Sequence, residues 1–155
     1  MAFTRQFAIV NATGKPVNDA HAVFTFTGGS LTNPKFIFTP APGVIKANVN
    51  QLDFYWDAKL APGAAVVFEV DAATPDFELY EVRWTLDGQE VGLGERSAGE
   101  VMIANSTGLT TPLSVERLTG SLVTGGLDRT TAIERAETLG AVIEASGAEI
   151  GRAHV

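Results

Sequence analysis

The stretch Tyr80–Gly92, YEVRWTLDGQEVG, leaves the chain the least freedom. Tyr80, Val82, Trp84 and Leu86 alternate with Glu81, Arg83 and Thr85. That is the period of two of a strand with one face buried and one face wet. Asp87-Gly88 follows, a pair that accepts the positive φ angles of a two-residue hairpin turn. The reading is a strand, a tight turn and a returning strand, with Tyr80, Val82, Trp84 and Leu86 pointing inward. Trp84, the largest of these side chains, is expected at the centre of a sandwich core.

Upstream, the same pattern recurs at short intervals. Phe3, Phe7 and Ile9 suggest a first strand, and residues 11–16 a turn punctuated by Gly14 and Pro16. Residues 17–27 read as a second strand with Ala22, Phe24 and Phe26 inward, broken by Gly28-Gly29-Ser30. Lys35–Thr39 and Val44–Val49 are short strands either side of Pro40–Gly43. In residues 51–57, Leu52, Phe54 and Trp56 share one face, and Asp53, Tyr55 and Asp57 the other. Leu60–Gly63 is a turn, and Ala64–Val70 a strand with Val66, Phe68 and Val70 inward. Six to eight short strands at such spacing predict an antiparallel β-sandwich.

The composition changes after Gly92. Val101–Ala104 and Leu113–Val123 read as further strands, and Gly125-Gly126 as a hinge. Thr131 and Glu134 have the spacing of a capping box. Ile133, Ala136, Gly140 and Ile143 recur at helical spacing, and Gly147 offers a stop. One C-terminal helix is therefore expected, from about Ala132 to Ser146. The fold class is mostly β: an immunoglobulin-like antiparallel sandwich over residues 1–105, a mixed strand and helix extension over 106–149, and a tail at 150–155.

The chain carries 11 basic and 18 acidic side chains, a net charge of −7. With no basic cluster it is a poor partner for nucleic acid or an anionic membrane surface. No apolar run approaches a membrane span, so membrane insertion is not expected. There is no cysteine, which removes thiolate catalysis, disulfides and Cys-ligated metals. The first ten residues lack the apolar length of a signal peptide.

Candidate chemistry is sparse. His21 lies out of phase with Ala22, Phe24 and Phe26, so it is expected at a surface or an edge, without a paired nucleophile. Asp53, Asp57, Asp71 and Asp76 invite a test as paired carboxylates for hydrolysis or calcium. Asp53 and Asp57 are four residues apart on one strand, about 13 Å, too far for one ion. The Asp71–Asp76 segment lacks the ligand spacing of a calcium loop, leaving solvated turn residues. Tyr55 shares its face with Asp53 and Asp57. An exposed aromatic between carboxylates suits a sugar ring, and a surface tyrosine turning its hydroxyl to water is the plainer alternative. These three are the candidate ligand-binding residues. No catalytic residue, metal site or cofactor is expected, and the Gly pairs lack the Lys-Ser/Thr of a phosphate loop. Asn11–Thr13 and Asn105–Thr107 match the glycosylation sequon.

Three segments resemble a known family. NATGKPVND at Asn11–Asp19 is similar to the turn between the first two strands of bacterial immunoglobulin-like surface modules. LAPGAAVVF at Leu60–Phe68 resembles their turn and following strand, and WTLDG at Trp84–Gly88 their hairpin. The likeness covers residues 1–92. It implies a non-enzymatic structural or adhesion module, a piece of a longer bacterial surface or secreted protein, with extracellular placement. The last six residues, IGRAHV, resemble one reading frame of a widely used sequencing-library adapter. They are therefore read as an artefact, and the chain as a truncated metagenomic fragment. Two other functions compete: a phage virion part, such as a tail or head decoration subunit, and a carbohydrate-binding module using Tyr55. Partners are then protein or polysaccharide, with sheet edges as a route to oligomers.

Overall fold

The computed structural model describes residues 2–11, 13–93, 100–102, 115–124 and 126–145. The strands are β1 (Phe3–Val10), β2 (Val17–Thr25), β3 (Thr32–Phe38), β4 (Gly43–Asn48), β5 (Gln51–Leu60), β6 (Ala65–Ala72), β7 (Glu78–Leu86), β8 (Gln89–Leu93) and β9 (Glu100–Met102). Two helices follow among the described residues, α1 (Val115–Thr124) and α2 (Arg129–Ala145). Every strand pairing is antiparallel. One sheet has the order β3-β6-β1-β9 and the other β4-β5-β2-β7-β8.

In space these orders follow the immunoglobulin plan. β9-β1-β6-β3 stand where A-B-E-D stand, and β2-β7-β8 where C-F-G stand. The connectivity departs from it at two places. Position A is filled by β9, from the end of the strand sequence. The β4–β5 hairpin extends the C edge but arises between D and E.

The inward faces interlock through aromatic rings. Phe7 stacks on Phe68 with centroids 5.6 Å apart, and Phe54 meets Phe68 edge-on at 4.9 Å. Trp56 stacks on Trp84 at 6.2 Å, and Trp84 is completely buried. Asp87 and Gly88 adopt φ of 51° and 83°, as the hairpin requires. Arg5 is buried too. Its guanidinium donates to the carbonyls of Phe77 and Pro75 and lies 4.7 Å over the Phe77 ring, tying the β6–β7 loop to β1.

Two turn motifs meet at one end of the sandwich. Asn11 is fully buried; its N–H donates to Ala64 O at 2.9 Å, and its carbonyl accepts from Gly63 N–H at 2.8 Å. Its Nδ2 donates to Lys15 O at 2.8 Å and to Leu60 O and Ala61 O at 3.3 Å. With Nδ2 so engaged, Asn11 cannot carry a glycan in the folded chain.

The helices form a third layer. Val115, Leu118 and Leu122 of α1 and Ala132, Ala136 and Leu139 of α2 pack with Ala8, Val10, Ala65 and Val67. Toward Ala8–Val10 and Ala65–Val67 the four-stranded sheet is therefore apolar on both faces, which explains the buried runs there, while Thr4, Gln6, Lys35, Glu69 and Asp71 bond one another at its other end.

Four expectations are corrected. The strand expected at Leu113–Val123 is α1: Val115, Leu118, Thr119 and Leu122 make a buried helical stripe, and packing overrides the β-branched residues. Gly126, with φ of 111°, is a helix stop rather than a hinge. Its N–H bonds Val123 O at 3.0 Å, and Leu127 N–H bonds Leu122 O at 3.1 Å. The capping box is replaced by Asp128, which accepts from Thr131 N–H at 3.1 Å and Thr131 Oγ1 at 2.7 Å. With α2 starting at Arg129, its buried face is Ala132, Ala136, Leu139 and Gly140, and Ile133 is exposed. Finally, Tyr80 points outward. The β2–β7 register pairs Val23 with Glu81 and Phe24 with Leu79, so a bulge at Tyr80 reverses the phase and buries Leu79 instead. Residues 103–114, with the second sequon, and 146–155, with Gly147 and the tail, lie outside the described residues.

Candidate functional site: the open face of the five-stranded sheet

Outward residues of β4, β5, β2, β7 and β8 line up in rows across the strands. One row runs Val44, Tyr55, Asp19, Thr85, Glu90. The next runs Lys46, Asp53, His21, Arg83, and a third Asn48, Gln51, Val23, Glu81. Cross-strand neighbours stand about 5 Å apart, so polar side chains in and between rows reach one another.

His21 holds the centre. Its Nδ1 is 2.5 Å from Asp53 Oδ1 and its Nε2 2.7 Å from Asp19 Oδ1. Asp53 Oδ1 also accepts from Gln51 Nε2 at 2.7 Å, and Asp19 Oδ1 from Thr85 Oγ1 at 2.8 Å. Both ring nitrogens therefore face carboxylate oxygens. The result is one chain of hydrogen bonds across β5, β2 and β7.

Tyr55 borders this chain and is 40% exposed. His21 meets its ring edge-on at 6.4 Å, and Lys46 Nζ sits 5.8 Å from its centroid. Burial, then Asp53 and Asp19, raise the phenol above its ordinary pKa, so the hydroxyl stays neutral and able to donate. On the far side, Arg83 Nε donates to Glu81 Oε2 at 3.0 Å. His21, Val23, Gln51, Glu81 and Arg83 line a shallow groove of about 440 Å³.

Of the expected ligand-binding residues, Asp53 and Tyr55 fall within this array. Asp57 lies further along β5, and its N–H bonds Pro42 O at 3.0 Å. Asp71 bonds Thr4 and Asn33 on the other sheet, and Asp76 bonds Thr27. The four carboxylates therefore form no pair. Among the described residues no group of three His, Asp or Glu side chains is placed to hold a metal ion, and no described helix is long and apolar enough to cross a membrane.

Sequence reasoning passed over Asp19, Gln51, Glu81 and Arg83 and left His21 alone. The signal lay in their outward phase, but using it requires knowing that β2 sits between β5 and β7. Comparison with protein-family models, with curated proteins and with solved structures finds no match.

Proposed function

We propose that this chain is a non-enzymatic structural or adhesion module, one piece of a longer bacterial surface or secreted protein, whose working surface is the open face of the five-stranded sheet. A single observation carries this reading. The helix layer covers the Ala8, Val10, Ala65 and Val67 end of one outer face, while the five-stranded sheet displays an uncovered array in which Gln51, Asp53, His21, Asp19 and Thr85 are bonded across three strands. Such a face is rigid and hydrated. It presents fixed donors and acceptors, and it leaves His21 as a clamp between strands rather than a base awaiting substrate.

Attachment of beads coated with the chain to bacterial and epithelial cells tests this. Beads carrying the parent should be retained above uncoated beads, and retention should fall at least fivefold with the double variant Tyr55→Ala/Arg83→Ala. Equal retention of parent and variant would take the working surface away from this face.

A second reading, a virion structural subunit, draws on β4. Among the described strands this six-residue strand pairs only with β5, and its Val44 is 54% exposed. An edge of that kind can pair between copies. Sedimentation showing a defined oligomer that Val44→Lys dissociates would favour the virion part; a monomer at all concentrations would favour the module.

A further inference from the structure

We infer that the groove beside His21, continued to Tyr55, is a binding site for a neutral polysaccharide chain. This deepens the reading of that face as the working surface and rests on it.

Charge comes first. Asp19 and Asp53 are both held by His21 and Glu81 by Arg83, with Lys46 over the Tyr55 ring and Glu90 at the end of the outer row. The face carries no excess of positive charge, in a molecule of net charge −7. An anionic polymer would meet these carboxylates here and the repulsion of the whole chain. A cationic one would have to displace His21 or Arg83 from carboxylates they already hold. A neutral occupant incurs neither cost.

Functional-group placement comes second. Sugar hydroxyls donate and accept at once, and the groove offers both kinds of partner. Arg83 donates, Glu81 accepts, and Gln51 does both. Arg83 is held by Glu81 at 3.0 Å and Gln51 by Asp53 at 2.7 Å, so little side-chain freedom is lost on binding. A protein partner would instead need buried apolar anchors at the centre of the patch. The exposed large apolar side chain paired with Tyr55, Val44, lies on the edge strand.

Dimensions come third. Tyr55 and Gln51 are four residues apart along β5, about 13 Å. Ring stacking at one end and hydrogen bonding at the other therefore span several sugar units rather than one. Lys46 lies against Tyr55 on a flexible stem and must swing aside for a ring to stack.

Native gels cast with hydroxyethylcellulose, galactomannan, mixed-linkage β-glucan or dextran, with alginate as the anionic control, test the inference on the full chain. The parent should be retarded in at least one neutral gel. Tyr55→Ala and Arg83→Ala should each weaken that retardation at least tenfold without lowering Tm. Ile133→Ala, on the exposed side of α2, should match the parent. No retardation in any neutral gel, retardation by alginate alone, or parental behaviour of both face variants would overturn it. The bead assay separates the two failures. Beads that attach through Tyr55 and Arg83 while every neutral gel is negative would leave the working surface intact and remove the glycan.

Discussion

The two sheets share one aromatic core yet differ on their outer faces. The four-stranded sheet turns Ala8, Val10, Ala65 and Val67 toward two helices. The five-stranded sheet turns Asp19, His21, Asp53 and Arg83 toward water. A sheet can thus be a structural wall or a display surface with the same strand geometry. What decides is whether its outward positions are apolar and covered, or polar and mutually bonded.

The sharpest way to break this comparison is to place the same charge on both outer faces. Val67→Asp buries an unpaired carboxylate under the helices and should cost more than about 4 kcal/mol, enough to unfold the chain. Val23→Asp, on the open face, should cost less than about 1 kcal/mol. Urea denaturation of both checks the contrast, and similar losses would mean the faces are not different in kind.

Next in size is Trp84→Ala, which strikes the core both sheets share and should cost about 3–5 kcal/mol. Tyr80→Ala, on the same strand but outward, should change stability by no more than about 0.5 kcal/mol. A large effect of the tyrosine would restore the strand phase that the bulge reverses.

Asn11→Ala should follow, at about 2–3 kcal/mol, because the carbonyls of Lys15, Leu60 and Ala61 lose a buried donor. Denaturation monitored by Trp fluorescence reads it, and a loss under about 0.5 kcal/mol would show that the two turns hold without it.

The smallest effect lies in the helix layer. Hydrogen bonds from the Thr131 side chain and then its backbone depress the Asp128 pKa below its ordinary 3.8. A depressed carboxylate stabilises the fold fully above its unfolded value. That contribution is lost as pH falls through the lower folded value. Thermal melts of Asp128→Asn should therefore show less acid sensitivity below the ordinary carboxylate range than the parent. Identical acid profiles would remove Asp128 as the cap of α2.

Much of the sandwich was legible in the chain because its signals are local. Alternation placed β2, β5, β6 and most of β7, and Asp87-Gly88 marked the hairpin through its own backbone preference. The second helix was legible in part. Ala136 and Gly140 were placed inward, but the register slipped because the cap is Asp128 rather than Thr131. Less was legible beyond Gly92. Val115, Thr119 and Val123 carry strand propensity, and only the apolar face of β1 and β6 makes burying Val115 and Thr119 on a helix favourable. Tyr80 misled for a similar reason, since a bulge depends on how two strands pair. Of the candidate site, Asp53 and Tyr55 were visible as outward residues on one strand. Their partners were not.

The sequence by itself determined where the chain turns, which residues alternate inward, and that no thiol chemistry is available. Those properties live within a few residues, in φ preferences, side-chain period and composition. Tertiary packing set which sheet carries the helices, that residues 115–123 form a helix, and that His21 lies between two carboxylates. Asp53 is 32 residues from His21, and Thr85 is 66 from Asp19. Contacts over such separations are set by strand order and register, which depend on the packing of the whole core and not on any local stretch.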